Sequence, residues 1–213
     1  MATVTIIGAG NMSRGIATRL LAGGADVRIL APTADHATSL AADLQDTGGA
    51  VSGAEVQESL SGDVVVLATP YEGALDFVDS RAEELAGKVV VDITNPVDWS
   101  TFEGLVTPAD SSAAEEIAKR IPDARVVKAF NTTFAGTLVS GEVAGEQLDV
   151  LLAGDDDDAK GRVARMVEAG GLRPVDVGPL RRARQLEQLG FLHMAVQDKL
   201  ASGFGSAVKI VTP

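Results

Sequence analysis

A doubly wound α/β fold follows from three observations on this sequence. Short Val/Ile-rich runs alternate with stretches of helical periodicity over the first two thirds of the chain. Those runs are apolar almost without interruption, as parallel strands covered on both faces are. The first run, moreover, enters a glycine turn that opens directly into a helical pattern. Strands alternating with helices imply right-handed βαβ units, and hence a parallel sheet clad on both sides.

The elements follow in order. Strands are expected at Thr3–Ile7, Val27–Leu30, Val64–Ala68, Val89–Ile93, Arg125–Lys128 and Asp149–Leu152. A short strand near Ala50 is only weakly signalled. Helices are expected at 11–23, 34–45, 71–86 and 111–120. Past Gly145 the pattern changes. Asp155-Asp-Asp-Asp158 precedes a helical stretch over Ala159–Ala169, where first-turn carboxylates complement the helix dipole. Leu172–Val177 reads as a strand, and a long helix runs from Pro179 or Leu180 to about Leu200. Gly203 and Gly205 end it before a last apolar segment, Ala207–Val211. The expected organisation is therefore a dinucleotide-binding domain over 1–145 and a smaller C-terminal α/β unit over 146–213 that closes a cleft.

Composition narrows the function. The chain has 213 residues, enough for a substantial core, and 46% of them are hydrophobic. It has no cysteine, which removes thiolate chemistry and disulfides, and its two histidines lie far apart in sequence. No metal site is expected. No apolar run spans a bilayer and no secretion signal is evident, so a cytoplasmic protein is expected. A formal charge of −12 opposes nonspecific nucleic-acid binding.

The glycine turn carries the chemistry. In Gly8-Ala9-Gly10-Asn11-Met12-Ser13-Arg14, Gly8 permits the tight turn and Gly10 lets the backbone approach a pyrophosphate. The helix that follows offers unpaired N–H groups and a positive dipole end. Ser13 stands where a third Gly or Ala is usual, and is small enough to keep helix and strand close. Ligands of such sheets lie beyond the carboxyl ends of the strands. Polar loops are expected there at Ala31-Pro32-Thr33, Thr69-Pro70-Tyr71, Thr94-Asn95-Pro96 and Asn131-Thr132-Thr133.

After the second strand, an acid would read the 2′-hydroxyl of NAD and an arginine the 2′-phosphate of NADP. This chain has neither there. Thr33 can donate a hydrogen bond, and Arg14 or His36 can add charge, so NADP is favoured and NAD is the alternative. No catalytic acid or base is assigned. Lys128, Tyr71 and Asp92 are the candidate proton donors if one is needed, and His193 reads as a packing or interface residue. Hydride transfer between two rings mainly needs the reacting carbons held close together.

With these loops in place, the chain resembles the F420-dependent NADP oxidoreductase family over nearly its whole length. The resemblance rests on Ile7-Gly-Ala-Gly-Asn-Met12, Thr69-Pro-Tyr-Glu72, Asp92-Ile-Thr-Asn-Pro96 and Lys128-Ala-Phe-Asn-Thr132. It extends through Leu152-Ala-Gly-Asp-Asp-Asp-Asp158, Gly171-Leu-Arg-Pro-Val-Asp176 and Gly178-Pro-Leu-Arg-Arg-Ala-Arg-Gln-Leu-Glu187. It implies a Rossmann-type fold, with NADPH over Gly8–Arg14 and beside Thr69-Pro70. Asn95, Pro96 and Asn131–Ala135 would line the place where nicotinamide meets the deazaflavin of coenzyme F420. It also implies a homodimer, with His193 and its helix at the subunit interface. Ala31-Pro32 departs from the Ser-Arg common in the family, and His36 stands where a lysine is frequent. Two other readings stay open: a nicotinamide-dependent reductase of a small imine or carbonyl, and a dinucleotide-binding sensor without turnover.

Overall fold

The computed structural model describes residues 3–211. Strands β1 (Thr3–Ile7), β2 (Asp26–Ala31) and β3 (Val51–Glu55) alternate with helices α1 (Asn11–Ala22) and α2 (Ala34–Asp43). The chain then continues through β4 (Val64–Leu67), α3 (Tyr71–Leu85), β5 (Val89–Asp92), α4 (Ala113–Arg120) and β6 (Arg125–Lys128). Next come α5 (Ala135–Ser140), a hairpin of β7 (Glu142–Val143) and β8 (Glu146–Gln147), β9 (Asp149–Gly154), α6 (Asp157–Ala169) and β10 (Arg173–Asp176). A 3₁₀ turn (Leu180–Arg182) leads into α7 (Ala183–Ala195) and α8 (Gln197–Leu200).

Eight strands form one sheet in the order β10-β9-β6-β5-β4-β1-β2-β3. The chain moves outward from β1 to β3, then returns to lay β4 against the other side of β1. The topological switch point is therefore between β1 and β4, and the loops after these two strands meet there. β9 pairs antiparallel with β6 and parallel with β10, so these last two strands run against the other six. Hydrophobic pattern does not encode that orientation. The expected boundary at 145/146 falls in the β7–β8 turn, and β9 and β10 extend the same sheet.

Two large cores cover the sheet, and a smaller cluster of Leu151, Ala153 and Leu186 packs α7 on β9. Ile6, Ile16, Ile29, Val127 and Val163 belong to the one that packs α1, α2 and α6. Ile7, Leu67, Val78, Val90 and Ile117 belong to the other, beneath α3 and α4. Alternate residues of a strand point to opposite faces, and Ile6 and Ile7 divide accordingly. The acidic run starts α6 as expected: Asp156 is its N-cap and accepts from Ala159 N at 2.7 Å.

The expected long C-terminal helix is interrupted at Val196. Gln197 explains the break, because its side-chain amide donates to the His193 carbonyl at 2.6 Å, the acceptor that continued helix would use. Ala207–Val211 forms no ladder. Asp149 holds it instead, accepting from Ile210 N at 2.8 Å and pairing with Lys209 and Arg173. Burial acts to raise the Asp149 carboxyl, but Arg173, the Ile210 amide and Lys209 outweigh it and hold it below the usual carboxylate range.

Candidate functional site

The site begins where β1 ends. Gly8 adopts φ +111°, and a Cβ there would lie 2.4 Å from the Ala68 carbonyl at the end of β4. Only glycine lets the two strand ends approach this closely. Gly10 is the N-cap of α1 and brings no capping side chain, while a Cβ added to it would meet nothing within 4 Å. Open space thus lies over an uncapped helix N-terminus. The Arg14 amide donates to the Gly10 carbonyl at 3.0 Å, so the amides of Asn11, Met12 and Ser13 precede the helical ladder and are available to an anion.

Two clefts meet at this turn. The first, about 630 Å³, is lined by Gly8, Leu30, Pro32, Thr69, Phe77 and Arg81. Its apolar floor suits an adenine. The second, about 380 Å³, is lined by Gly10, Met12, Thr69, Thr94, Asn131 and Phe134. Thr69 borders both, and its hydroxyl is buried without a hydrogen-bond partner. Thr94 Oγ1 and Asn131 Oδ1 are likewise buried and unpaired at the second cleft. Buried polar atoms rarely go unsatisfied, so three orphans along one trough indicate a ligand with donors and acceptors. An elongated dinucleotide fits: adenosine in the first cleft, pyrophosphate over Gly10, nicotinamide in the second.

The backs of these loops are fastened together. Asn95 Nδ2 donates to the Asn131 carbonyl at 2.8 Å, and Asn131 Nδ2 donates to Asn95 Oδ1 at 2.9 Å and to the Leu186 carbonyl at 2.8 Å. Helix α7 packs closely on this pair, since a Cβ on Gly190 would stand 2.6 Å from Asn95 Oδ1. Behind them lies a buried ionic triad. Lys128 Nζ sits 2.8 Å from Asp92 Oδ2 and 2.8 Å from Glu187 Oε1. Glu187 also accepts from Ala113 N at 2.9 Å and so caps α4 from α7. Burial acts to lower the Lys128 ammonium, but the two carboxylates outweigh it and hold its proton more firmly than usual. Glu187 shifts upward, because burial and the neighbouring Asp92 outweigh Lys128.

The proton-donor candidates are therefore corrected. Lys128 and Asp92 are sealed beneath the site and reach neither cleft. Tyr71 alone of the three stands at an opening, in a cavity of about 550 Å³ that adjoins the nicotinamide end. Burial, with Glu116 next, raises its phenol above the ordinary value. Tyr71 stays protonated at neutral pH and can donate.

The other expected residues distribute as follows. Ala9 packs partly against the core, while Asn11, Pro70 and Asn95 line the nicotinamide-end cleft. Pro96 lines the adjoining cavity. Thr133 reaches the cleft, but its hydroxyl donates to the Phe130 carbonyl at 2.7 Å. Thr132 is buried and lines neither cleft, and its carbonyl faces His193 Nδ1 at 3.3 Å. The Ser13 side chain is also buried away from both clefts, which leaves its backbone amide as its contribution. Arg14 is engaged with Asp43 at 2.6 Å. Thr33 and His36 are exposed at the start of α2, and the Thr33 side chain makes no capping bond.

His193 packs within its own chain, one of the two roles expected of it. It is buried against the Phe134 ring at 4.3 Å and the Ser206 hydroxyl at 2.8 Å. Burial lowers its pKa.

Lining groups that escaped the sequence reading include Trp99, Met194 and Phe204 at the nicotinamide end, and Phe77 and Arg81 at the adenosine end. Arg81 donates to the Val56 carbonyl at 2.7 Å and pairs with Glu84, which leaves its charge matched. No local pattern marks these residues, although the one tryptophan of the chain was a signal.

A glycine turn at a switch point, an open helix N-terminus and a two-ended trough define a protein of the dinucleotide-binding class. Residues 3–96 match the family described as NADP oxidoreductase, coenzyme F420-dependent. The F420-dependent NADP reductase of Methanothermobacter marburgensis is 30% identical over 198 residues, covering 85% of this chain and 86% of the relative. This chain belongs to that F420-dependent NADP oxidoreductase family. It is also 31% identical over 186 residues to the rat metalloreductase STEAP3, of which the match spans only 36%. A solved structure from Arthrobacter sp. FB24, described as a candidate F420-dependent NADP reductase, superposes with a TM-score of 0.85 at 27% identity, covering all of both chains. Among the described residues, no helix is long and apolar enough to cross a membrane.

Proposed function

We propose that this enzyme exchanges hydride between NADP(H) and coenzyme F420. One observation carries the reading: the nicotinamide-end cleft is lined by no ionisable side chain. A carbonyl or imine reductase needs a proton donor beside the acceptor, and the nearest candidate, Tyr71, lines the adjoining cavity and not this cleft, whereas ring-to-ring hydride transfer needs mainly alignment. When bound, the nicotinamide supplies hydride from C4 to C5 of the deazaflavin, and solvent supplies the balancing proton.

The protein's part is binding and orientation. Gly8 and Gly10 leave room for the pyrophosphate, and the amides of Asn11, Met12 and Ser13 face it. Thr69, Thr94 and Asn131 offer their unpaired oxygens to the nicotinamide end, with Asn95 and Pro70 beside them. Pro96 and Thr133 shape the walls, and Thr132 sets the loop from beneath. Thr33, His36 and Arg14 are assigned to the adenosine phosphate, Arg14 after release from Asp43. NAD is the alternative cofactor, because no arginine follows β2. The 146–213 segment contributes α7 and the tail that complete the second cleft. The reading includes a cytoplasmic homodimer, supported by outward-facing Leu192 and Leu200, 59% and 56% exposed.

The test is direct. Purified enzyme mixed with NADPH and oxidised F420 is expected to bleach the visible absorbance of the deazaflavin. A folded sample that bleaches it with neither NADPH nor NADH overturns the proposal.

A further inference from the structure

The buried triad behind the site is more elaborate than fastening α7 to the sheet requires. Well-packed apolar side chains often hold such a contact as firmly, because buried charges lose their hydration. What ions add is direction. A lysine ammonium has three protons to give, and Lys128 gives them to Asp92, Glu187 and the Thr94 carbonyl. Asp92 in turn accepts from Thr94 N at 2.9 Å through its other carboxylate oxygen. Both backbone polar groups of Thr94 are thus bound by one ion pair, whose members stand opposite each other at the ends of β5 and β6.

Thr94 is where that grip meets the cleft. It is buried, it lines the nicotinamide end, and its hydroxyl makes no hydrogen bond. Threonine hydroxyls ordinarily satisfy themselves on a nearby backbone carbonyl, as Thr133 and Thr137 do on Phe130 and Phe134. Thr94 does not. A β-branched side chain has few χ1 rotamers, so fixing its backbone goes far toward fixing where the hydroxyl points. The next residue is tied down independently, by the two bonds between Asn95 and Asn131.

We infer, resting on the proposed function for what occupies the cleft, that Asp92 and Lys128 are positioning residues, which clamp the Thr94 backbone so that its hydroxyl meets the nicotinamide end of the dinucleotide already oriented. The two groups that burial removes from proton transfer act on the cofactor through Thr94. Glu187 balances the remaining charge of the cluster and caps α4 through Ala113 N and Ala114 N, at 2.9 and 3.3 Å.

The test compares two probes by calorimetric titration: NADP⁺, and 2′-phospho-ADP-ribose, which lacks the nicotinamide. Thr94→Val is expected to weaken NADP⁺ binding about fivefold to tenfold, the loss of one buried hydrogen bond, and to leave the truncated probe within about twofold of wild type. Asp92→Ala leaves Lys128 matched one-to-one by Glu187, and should weaken NADP⁺ about fivefold with the same selectivity. Its effect should vanish in the Thr94→Val background, since it acts through that hydroxyl. Asp92→Asn keeps an oxygen for Thr94 N and should restore most of the affinity lost in Asp92→Ala. Wild-type NADP⁺ binding by Asp92→Ala, effects that multiply in the double variant, or an equal loss for the truncated probe overturns the clamp. A further measurement needs no variant: the Thr94 amide of the unliganded wild type should exchange its hydrogen as slowly as the amides of β5, and rapid exchange overturns the clamp as well. If the wild type bleaches F420 while the Asp92 and Thr94 effects multiply, the clamp falls and the reductase reading stands. If the selective, non-additive losses appear but F420 is never bleached, the clamp stands and the reductase reading falls.

Discussion

Lys128 and Glu187, 59 positions apart in sequence, form a buried ion pair of 2.8 Å that fastens α7 to the sheet directly behind the site. The same ammonium meets Asp92, so one cation compensates two carboxylates in a fully buried cluster. Removing it would strand both. Lys128→Met is expected to cost about 3–5 kcal/mol of folding stability, read from denaturant unfolding. Glu187→Gln should cost less, because the amide keeps a hydrogen-bonding oxygen and leaves Lys128 its Asp92 partner. Equal stability of Lys128→Met and wild type would refute this role.

The two glycines of the turn should fail in different ways. Gly8→Ala forces a Cβ against the Ala68 carbonyl at 2.4 Å with a positive φ, so it is expected to destabilise the fold. Gly10→Val meets open space within the protein and should fold normally. Its side chain would instead occupy the path of the pyrophosphate and weaken NADPH binding about tenfold or more. Calorimetric titration beside a melting curve separates the two effects. Tight binding by Gly10→Val would mean that the turn is structural only.

Pro32 borders the adenosine-end cleft and is exposed. Arg81, the cation already there, is matched by Glu84. Pro32→Arg would add an unmatched guanidinium, and a charged hydrogen bond to the 2′-phosphate contributes about 1.5–3 kcal/mol. The ratio of NADPH to NADH affinity should therefore rise about tenfold or more. An equal gain for both cofactors would put the 2′ position elsewhere.

His193 links α7 to the C-terminal tail through Ser206 and stacks on Phe134. Its folded pKa lies below the ordinary value of 6.5 because burial disfavours the charged ring. The unfolded chain then binds more protons than the folded one between the two pKa values. Stability contributed by neutral His193 is full above about pH 6.5 and is lost as pH falls through that window. Thermal midpoints of the wild type should drop on acidification through this range, and those of His193→Gln should drop less. Parallel profiles would remove His193 as the cause.

Much of the fold was legible because its signals are local. The apolar runs of β1, β4 and β5 are continuous, and the turn at Gly8–Gly10 has its own stereochemistry. The N-cap at Asp156 was readable for the same reason. The break at Val196 was not, since it depends on the Gln197 side chain competing for a backbone acceptor and on Ser202 and Ser206 holding that side chain. Helix α5 and the β7–β8 hairpin are too short to carry a periodic signal.

The site divides in the same manner. Gly10, Asn11, Thr69, Asn95 and Asn131 were found because loops after parallel strands converge by topology. Lys128 and Asp92 carried the right chemistry for proton transfer, but burial and mutual pairing, both tertiary properties, remove them from it. Trp99, Met194 and Phe204 come from three separate segments, and only packing brings them to one cleft.

By itself the sequence determined that strands and helices alternate, that a glycine turn opens the first helix, and that no thiol chemistry is available. These are properties of neighbouring residues, set by stereochemistry, periodicity and composition. Tertiary structure alone decided which polar groups face the trough and which are sealed behind it. A side chain's role depends on what surrounds it: Thr94 is left with an unpaired hydroxyl, while Lys128, four residues before Thr132, is enclosed by Asp92 and Glu187.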